Sequence, residues 1–176
     1  MNTKLKNHSI DYGTKLGGFL AFSSLLFYIL DPLLFINLWI AAAFVILIVF
    51  FGAFSSYKSR NLFEDKLLNW KNSFKVYFIT IAVGYLIGNI TLFIIFNIID
   101  PDIVKIIFEK SLELSEQIMI YFGTPEDIIA TELEKAEKIG SENLFSLKAL
   151  SKDYFYKLAI FSLIGTMISL ITKSSN

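Results

Sequence analysis

The sequence predicts an all-α integral membrane protein: a four-helix transmembrane bundle with an extracytoplasmic amphipathic helical loop. Three observations lead there. Hydrophobic residues are 55% of the 176, above the roughly 45–50% of soluble domains, and mean hydropathy is +0.59. The excess is gathered into four runs of about twenty residues, the length that crosses a hydrocarbon core of about 30 Å. The runs lack period-two alternation, so they read as helices and not as barrel strands, the other way to satisfy every backbone group in lipid.

The first span is read at 12–30. The bulky "FYILDPLL" where it ends offers no small-residue cleavage site, so it is taken as an uncleaved span and not a signal peptide. Asp31-Pro32 then joins it almost directly to the second span, 32–54, as a tight antiparallel hairpin. The third span is 74–99 and the fourth 154–172. Lys15 and Lys157 fall near the ends of the first and fourth, where an ammonium can reach back to the headgroups. The connection "SSYKSRNLFEDKLLNWKNS" is polar and basic, with Trp70 suited to the interface. The remaining connection, the 53 residues from Pro101 to Asp153, carries most of the acid.

Threading follows the basic residues. Lys4, Lys6 and Lys15 attend the start of the first span, and Lys58, Arg60, Lys66, Lys71 and Lys75 the second connection; Lys173 follows the last span. The connection at Asp31-Pro32 has no Lys or Arg. Cytoplasmic loops are enriched in these residues, so the expectation is a multi-pass protein of the bacterial inner membrane with both termini cytoplasmic. The 101–153 loop holds six Lys diluted among twelve acids between Asp100 and Asp153.

That loop has helical punctuation. In "TPEDIIATELEKAEKIG", Thr124 reads as an N-cap, Pro125 as the first helical position and Asp127 as an acidic capping-box partner. Lys135 and Lys138 fall near the end, Gly140 supplies the stop, and Ile129, Leu133 and Ala136 form the apolar stripe. A second helix is expected between 101 and 122, with Ile103, Ile107, Leu114 and Ile118 on one side. Its five charges from Lys105 to Glu116 argue for a helix lying on the membrane or the bundle, not a fifth span. The corners before these helices are alike: Asp100-Pro101 and Asp31-Pro32 each offer a capping carboxylate followed by a proline whose missing N–H costs little.

Composition excludes much chemistry. There is no Cys and a single His, His8, so neither a disulfide nor a zinc site is expected. No phosphate loop or nucleophile elbow is present. Glu132, Glu134 and Glu137 resemble a carboxylate cluster, but Glu132 with Lys135 and Glu134 with Lys138 have the spacing of a solvated helix face. Catalytic, cofactor-binding and metal residues are therefore expected to be none.

The middles of the four runs hold no ionisable residue; their polar groups are Ser23, Ser24, Asn37, Thr80, Asn89, Thr91, Ser162, Thr166 and Ser169. Such groups form interhelical hydrogen bonds more often than substrate contacts. Asn89 and Asn37 are the helix-packing candidates among them. Gly84 and Gly88 in "GYLIG", and Gly13 with Gly17, make small-xxx-small faces for close helix approach.

The order of features resembles a known family. "YKSR" follows the second span and "NSFKVYFIT" opens the third; "FNIIDPD" ends it, and the "TPEDIIATELEKAEK" helix and a short fourth span follow. This series is similar to the domain of unknown function 4199, a family of bacterial membrane proteins found mainly in Bacteroidota. The resemblance implies a four-span inner-membrane protein of unassigned function and carries over no site residues. The leading expectation is a non-enzymatic structural or interaction protein that uses its extracytoplasmic loop. Its partners would be the bilayer and a protein partner or a second copy through the membrane helices, with no nucleic acid. The alternative is a small transporter or channel-forming subunit, with Asn89 and Asn37 facing a wet cavity.

Overall fold

The computed structural model describes residues 2–63, 68–140 and 144–173. Lys66, counted above in the basic connection, lies outside them. Among the described residues there is no strand, and six α-helices carry the fold. Four segments are long and apolar enough to cross a bilayer: Thr3–Leu30, Leu38–Leu62, Trp70–Ile99 and Leu147–Thr172.

Helix boundaries follow polar caps more than the edges of the apolar runs. Helix α1 is Thr3–Leu30, begun by Asn2, whose side chain accepts from Lys4 N at 3.1 Å. It starts at Thr3 and not at 12, because its first turns are amphipathic: Leu5 and Ser9 are buried while Lys4, Lys6 and Asp11 face outward. Lys15 also faces outward, paired with Asp11 at 2.7 Å.

The expected tight hairpin has a spacer. Asp31 accepts from Leu33 N at 2.9 Å and, with Pro32 as first residue, opens a separate 3-10 turn over Pro32–Ile36. Asn37 then caps helix α2, Leu38–Lys58, accepting from Trp39 N at 3.0 Å and Ile40 N at 3.2 Å. Asn37 is thus a cap and not a packing residue within a span. The free N–H groups of a helix start need an acceptor, and Asn is among the best suppliers.

A 3-10 turn at Ser59–Leu62 ends this segment. Helix α3, Trp70–Ile94, starts under the Asn69 cap and widens into a π turn at Ile95–Ile99. Asp100 accepts from Ile103 N at 3.2 Å, as a helix-start carboxylate should. Pro101 lies in the turn before helix α4, Ile103–Tyr121, and not at its first position.

Gly123, at φ +71°, turns the chain toward helix α5, Glu126–Ile139. Here Thr124 is not the cap. No side chain caps this start; the Pro125 carbonyl accepts from Ile128 N at 3.1 Å and Ile129 N at 3.0 Å, with Glu126 and Asp127 at the positive end. Helix α6, Leu147–Thr172, is capped by Ser146 and begins well before 154. The loop between the third and fourth spans accordingly ends before 153.

Helix α3 is the hub, packing on α1, α2 and α6. Its closest partner is α1, which runs parallel to it and touches α2 far less. The reason is glycine meshing. A methyl at Gly13 would lie 2.7 Å from Val83 Cβ, one at Gly17 2.6 Å from Ile87 Cβ, and one at Gly84 2.7 Å from Leu16 Cγ. At Gly88 the nearest atom would be Leu20 Cβ at 3.3 Å. Gly52 and Gly165 make room in the same way for the ring of Tyr77, so α2 and α6 close on α3.

The bundle buries hydroxyls among its apolar core and is apolar without. Ser9, Ser55, Ser56, Ser73, Thr80 and Ser169 are buried, while Ile29, Ile46, Leu163, Met167 and Ile171 are at least 70% exposed. Soluble monomers rarely expose contiguous apolar surface on this scale. Hydroxyls joining helices inside an apolar shell are the pattern of a bundle solvated by lipid.

Candidate functional site

Two places stand out: the α4–α5 arm beyond one end of the bundle, and a polar cluster inside it. The arm is anchored by α4. Val104 and Ile107 are buried with Ile95 and Phe96, and Phe35, Ile36 and Phe145 pack around them. Helix α4 therefore lies against the Pro32–Ile36 turn at the α1–α2 end. Helix α5 rests on α4 and buries only Ile129, with Leu133 and Ala136 half-buried on the same stripe. Its charges are paired along the helix: Glu132–Lys135 and Glu134–Lys138, each at 2.6 Å. At the α4–α5 corner, Tyr121 and Phe122 are 84% and 77% exposed, beside exposed Ile120 and Ile128.

The inner cluster joins α3 to α6. Tyr85 donates its hydroxyl to Asp153 Oδ2 at 2.6 Å, and Asp153 Oδ1 lies 3.1 Å from Lys157 Nζ. The Lys157 ammonium sits 5.3 Å from the centroid of the Tyr85 ring. Tyr154 stacks on Tyr85 at 6.0 Å and donates to the Ala82 carbonyl at 3.1 Å. One turn along α3, Asn89 donates through Nδ2 to the Leu150 carbonyl at 3.2 Å, while its buried Oδ1 has no partner among the described residues. Because α6 begins at Leu147, Lys157 lies about three turns inside the helix and not at its edge. Tyr85 is central in the Trp70–Ile99 segment. The middle of the bundle therefore does contain ionisable groups.

A cleft of about 380 Å³ opens beside this cluster, lined by α1, the Pro32–Ile36 turn, α2, α3 and α6. It exists because the glycine faces hold α1 against α3 while the 3-10 turn spaces α1 from α2, whose facing side chains include Ala41 and Ala42. Its walls are apolar except for Ser24, Tyr85, Asn89 and Lys157.

The opposite end of the bundle is tied by hydroxyls. Ser55 meets Thr80 at 2.9 Å, Ser56 meets Ser73 at 2.7 Å, and Ser73 meets Thr172 at 2.6 Å. Arg60 donates to the Thr172 carbonyl and, at 3.0 Å, to that of Lys173, closing the end of α6. His8 contacts the Ser55 carbonyl at 2.9 Å and the Tyr12 ring. These are helix ties with no reactive pair among them.

Of the residues singled out from the sequence, Gly84, Gly88 and Asn89 come together on one stretch of α3, toward α1 and α6. Asn37, Asp31, Asp100 and the Thr124-Pro125 pair sit apart, at helix starts. Tyr85, Asp153 and Lys157 were missed. A usable signal was the i, i+4 spacing of Asp153 and Lys157, which sets the two charges side by side on one helix face.

These features define a class: a multi-pass, all-helical membrane protein. A family model described as Protein of unknown function (DUF4199) matches residues 11–174, nearly the whole chain, and the chain belongs to that family. No curated protein and no solved structure gives a significant match.

Proposed function

We propose that this is a non-enzymatic interaction protein of the bacterial inner membrane, with both termini cytoplasmic and the α4–α5 arm presented outside. The observation that carries the reading is the arm itself. It is an ion-paired helical structure that buries little of its own surface and holds Tyr121 and Phe122 outward. Exposed aromatics rank high among residues that anchor protein contacts. The orientation is supported by charge: Lys4, Lys6, Lys58, Arg60, Lys71 and Lys173 gather at the end of the bundle away from the arm, as the positive-inside rule expects. A non-enzymatic role is supported by Asp153, whose two oxygens are both engaged, by Tyr85 and by Lys157.

The test is in vivo photo-crosslinking from positions 121 and 128, compared with a chain lacking 103–139. A partner captured from both positions in the full chain, and a phenotype when 103–139 is removed, are the expected results. No protein captured from either position, together with an unchanged phenotype in the truncated chain, would refute the proposal. Reporter fusions at Asn61 and Glu142 check the threading, and an outside signal at Asn61 would reverse it.

A further inference from the structure

We propose that the cleft among α1, α2, α3 and α6 is a binding site for a single-chain amphiphile with an anionic head, carboxylate or phosphate. Its chain would lie along the phenylalanines and its head at Lys157. This does not depend on the role of the α4–α5 arm.

The cleft has the size and make-up of a small-molecule site: about 380 Å³, apolar walls and a few polar groups at one place. Phe27, Phe44, Val45 and Phe161 supply wall that suits a hydrocarbon chain. The polar groups are not scattered. Tyr85 and Asn89 lie one turn apart on α3, and Lys157 faces them from α6.

The sign of the site follows from which partner faces the cleft. Lys157 lines it; Asp153 does not. An ammonium has three donors, and the one bond Lys157 makes in the described chain is to Asp153. Its side chain remains 44% exposed. Asp153 is held by Lys157 and by the Tyr85 hydroxyl. The cleft therefore meets a ligand with an under-used cation in apolar surroundings, where a charge-assisted hydrogen bond counts for most. Asn89 borders the same wall; it is only 7% exposed, donates through Nδ2 to the Leu150 carbonyl and keeps a buried Oδ1 without a partner among the described residues. Ionisable residues inside membrane bundles mark ligand or ion sites as a rule. A groove filled merely by any lipid tail would be indifferent to the head.

The experiment uses the full chain in phosphatidylcholine nanodiscs and a diazirine-bearing dodecanoate, with the labelled peptides mapped by mass spectrometry. Label is expected on α1 and α2 peptides containing Phe27 and Phe44. Unlabelled dodecanoate or lauroyl lysophosphatidate should displace it at about tenfold lower concentration than dodecyltrimethylammonium, the discrimination of one charge-assisted hydrogen bond. Whichever anion competes better identifies the source, free fatty acid or phospholipid. Lys157→Met should lower labelling about tenfold and Lys157→Arg should retain it. Ala42→Phe, which fills the cleft and leaves the charges in place, should abolish it and decides the matter if Lys157→Met does not fold. Equal competition by the cationic amphiphile would overturn the proposal, as would full labelling of Ala42→Phe.

Discussion

Alanine at Gly17 and alanine at Gly18 should differ sharply in stability, although the two residues are neighbours on α1. A Cβ at Gly17 falls 2.6 Å from Ile87 Cβ and 2.7 Å from Ile87 Cδ1. Carbon pairs rest at about 3.5–4.0 Å, so the contact is short by about 1 Å. The Cβ of Ile87 is fixed to the α3 backbone and no rotamer moves it aside. The helices must separate instead, and that loosens Gly13, Gly84 and Gly88, which share the interface. Overpacking of this kind costs about 1–3 kcal/mol, of which alanine's better helix propensity returns at most about 1 kcal/mol. At Gly18 a Cβ meets nothing within 4 Å, so only the propensity gain remains. A gap of about 2 kcal/mol is expected, with Gly17→Ala the less stable protein. Unfolding by a denaturing detergent in mixed micelles, followed by the fluorescence of Trp39 and Trp70, measures it. Equal midpoints for the two variants would refute the close approach of α1 and α3.

Thr80→Val removes a hydroxyl that meets Ser55 at 2.9 Å and the Ser9 carbonyl at 3.3 Å; the same unfolding assay should show a loss of about 0.6–1.7 kcal/mol, with Thr80→Ser near wild type. Tyr85→Phe takes the hydroxyl donor from Asp153 Oδ2 and should cost about 1–3 kcal/mol. A double-mutant cycle with Asp153→Asn should show coupling above about 0.5 kcal/mol, and strict additivity would mean the bond is not formed. Arg60→Gln frees the Thr172 and Lys173 carbonyls, so amide exchange in the last turn of α6 should quicken about tenfold; unchanged protection would dismiss the clamp. Gly123→Ala forces a side chain into the left-handed region and should cost the α4–α5 turn about 1–2 kcal/mol, visible as faster exchange in α5 with the spans unaffected.

The class of the fold was legible because lipid imposes a length and a composition that a sequence displays directly. The arm was legible too, at Gly140 and in the Ile129, Leu133, Ala136 stripe, because amphipathic helices carry their own period. Partner choice was not. Chain adjacency pointed to α1 against α2, whereas Gly13 and Gly17 mesh with α3, a matter of shape that hydropathy does not record. Helix starts were misplaced for a related reason. Asn37 and Ser146 act through one side-chain oxygen each, and an apolar window averages such a residue away. Thr124 shows the converse, a good capping residue left unused because the Pro125 carbonyl takes up the first N–H groups.

Lys157 connects these misreadings. With α6 placed at 154–172 it looks terminal, free to reach water; with α6 beginning at Leu147 it lies about three turns inside the helix, beside the ring of Tyr85. What makes that position tolerable is assembled from three helices' worth of decisions. Asp153 one turn earlier neutralises it, Tyr85 on α3 holds Asp153, and the glycine face that draws α1 onto α3 leaves the α2 side open next to the ammonium. An ion pair this exposed is weak grounds for stability, since solvent screens most of its attraction. Closing the cleft with larger residues at Ala41 and Ala42 would have been the simpler way to stabilise this bundle. The small residues there, the spacer turn at Pro32–Ile36 and the lysine at the opening together keep space and charge in one place, which is the arrangement a ligand site requires and a purely structural bundle does not.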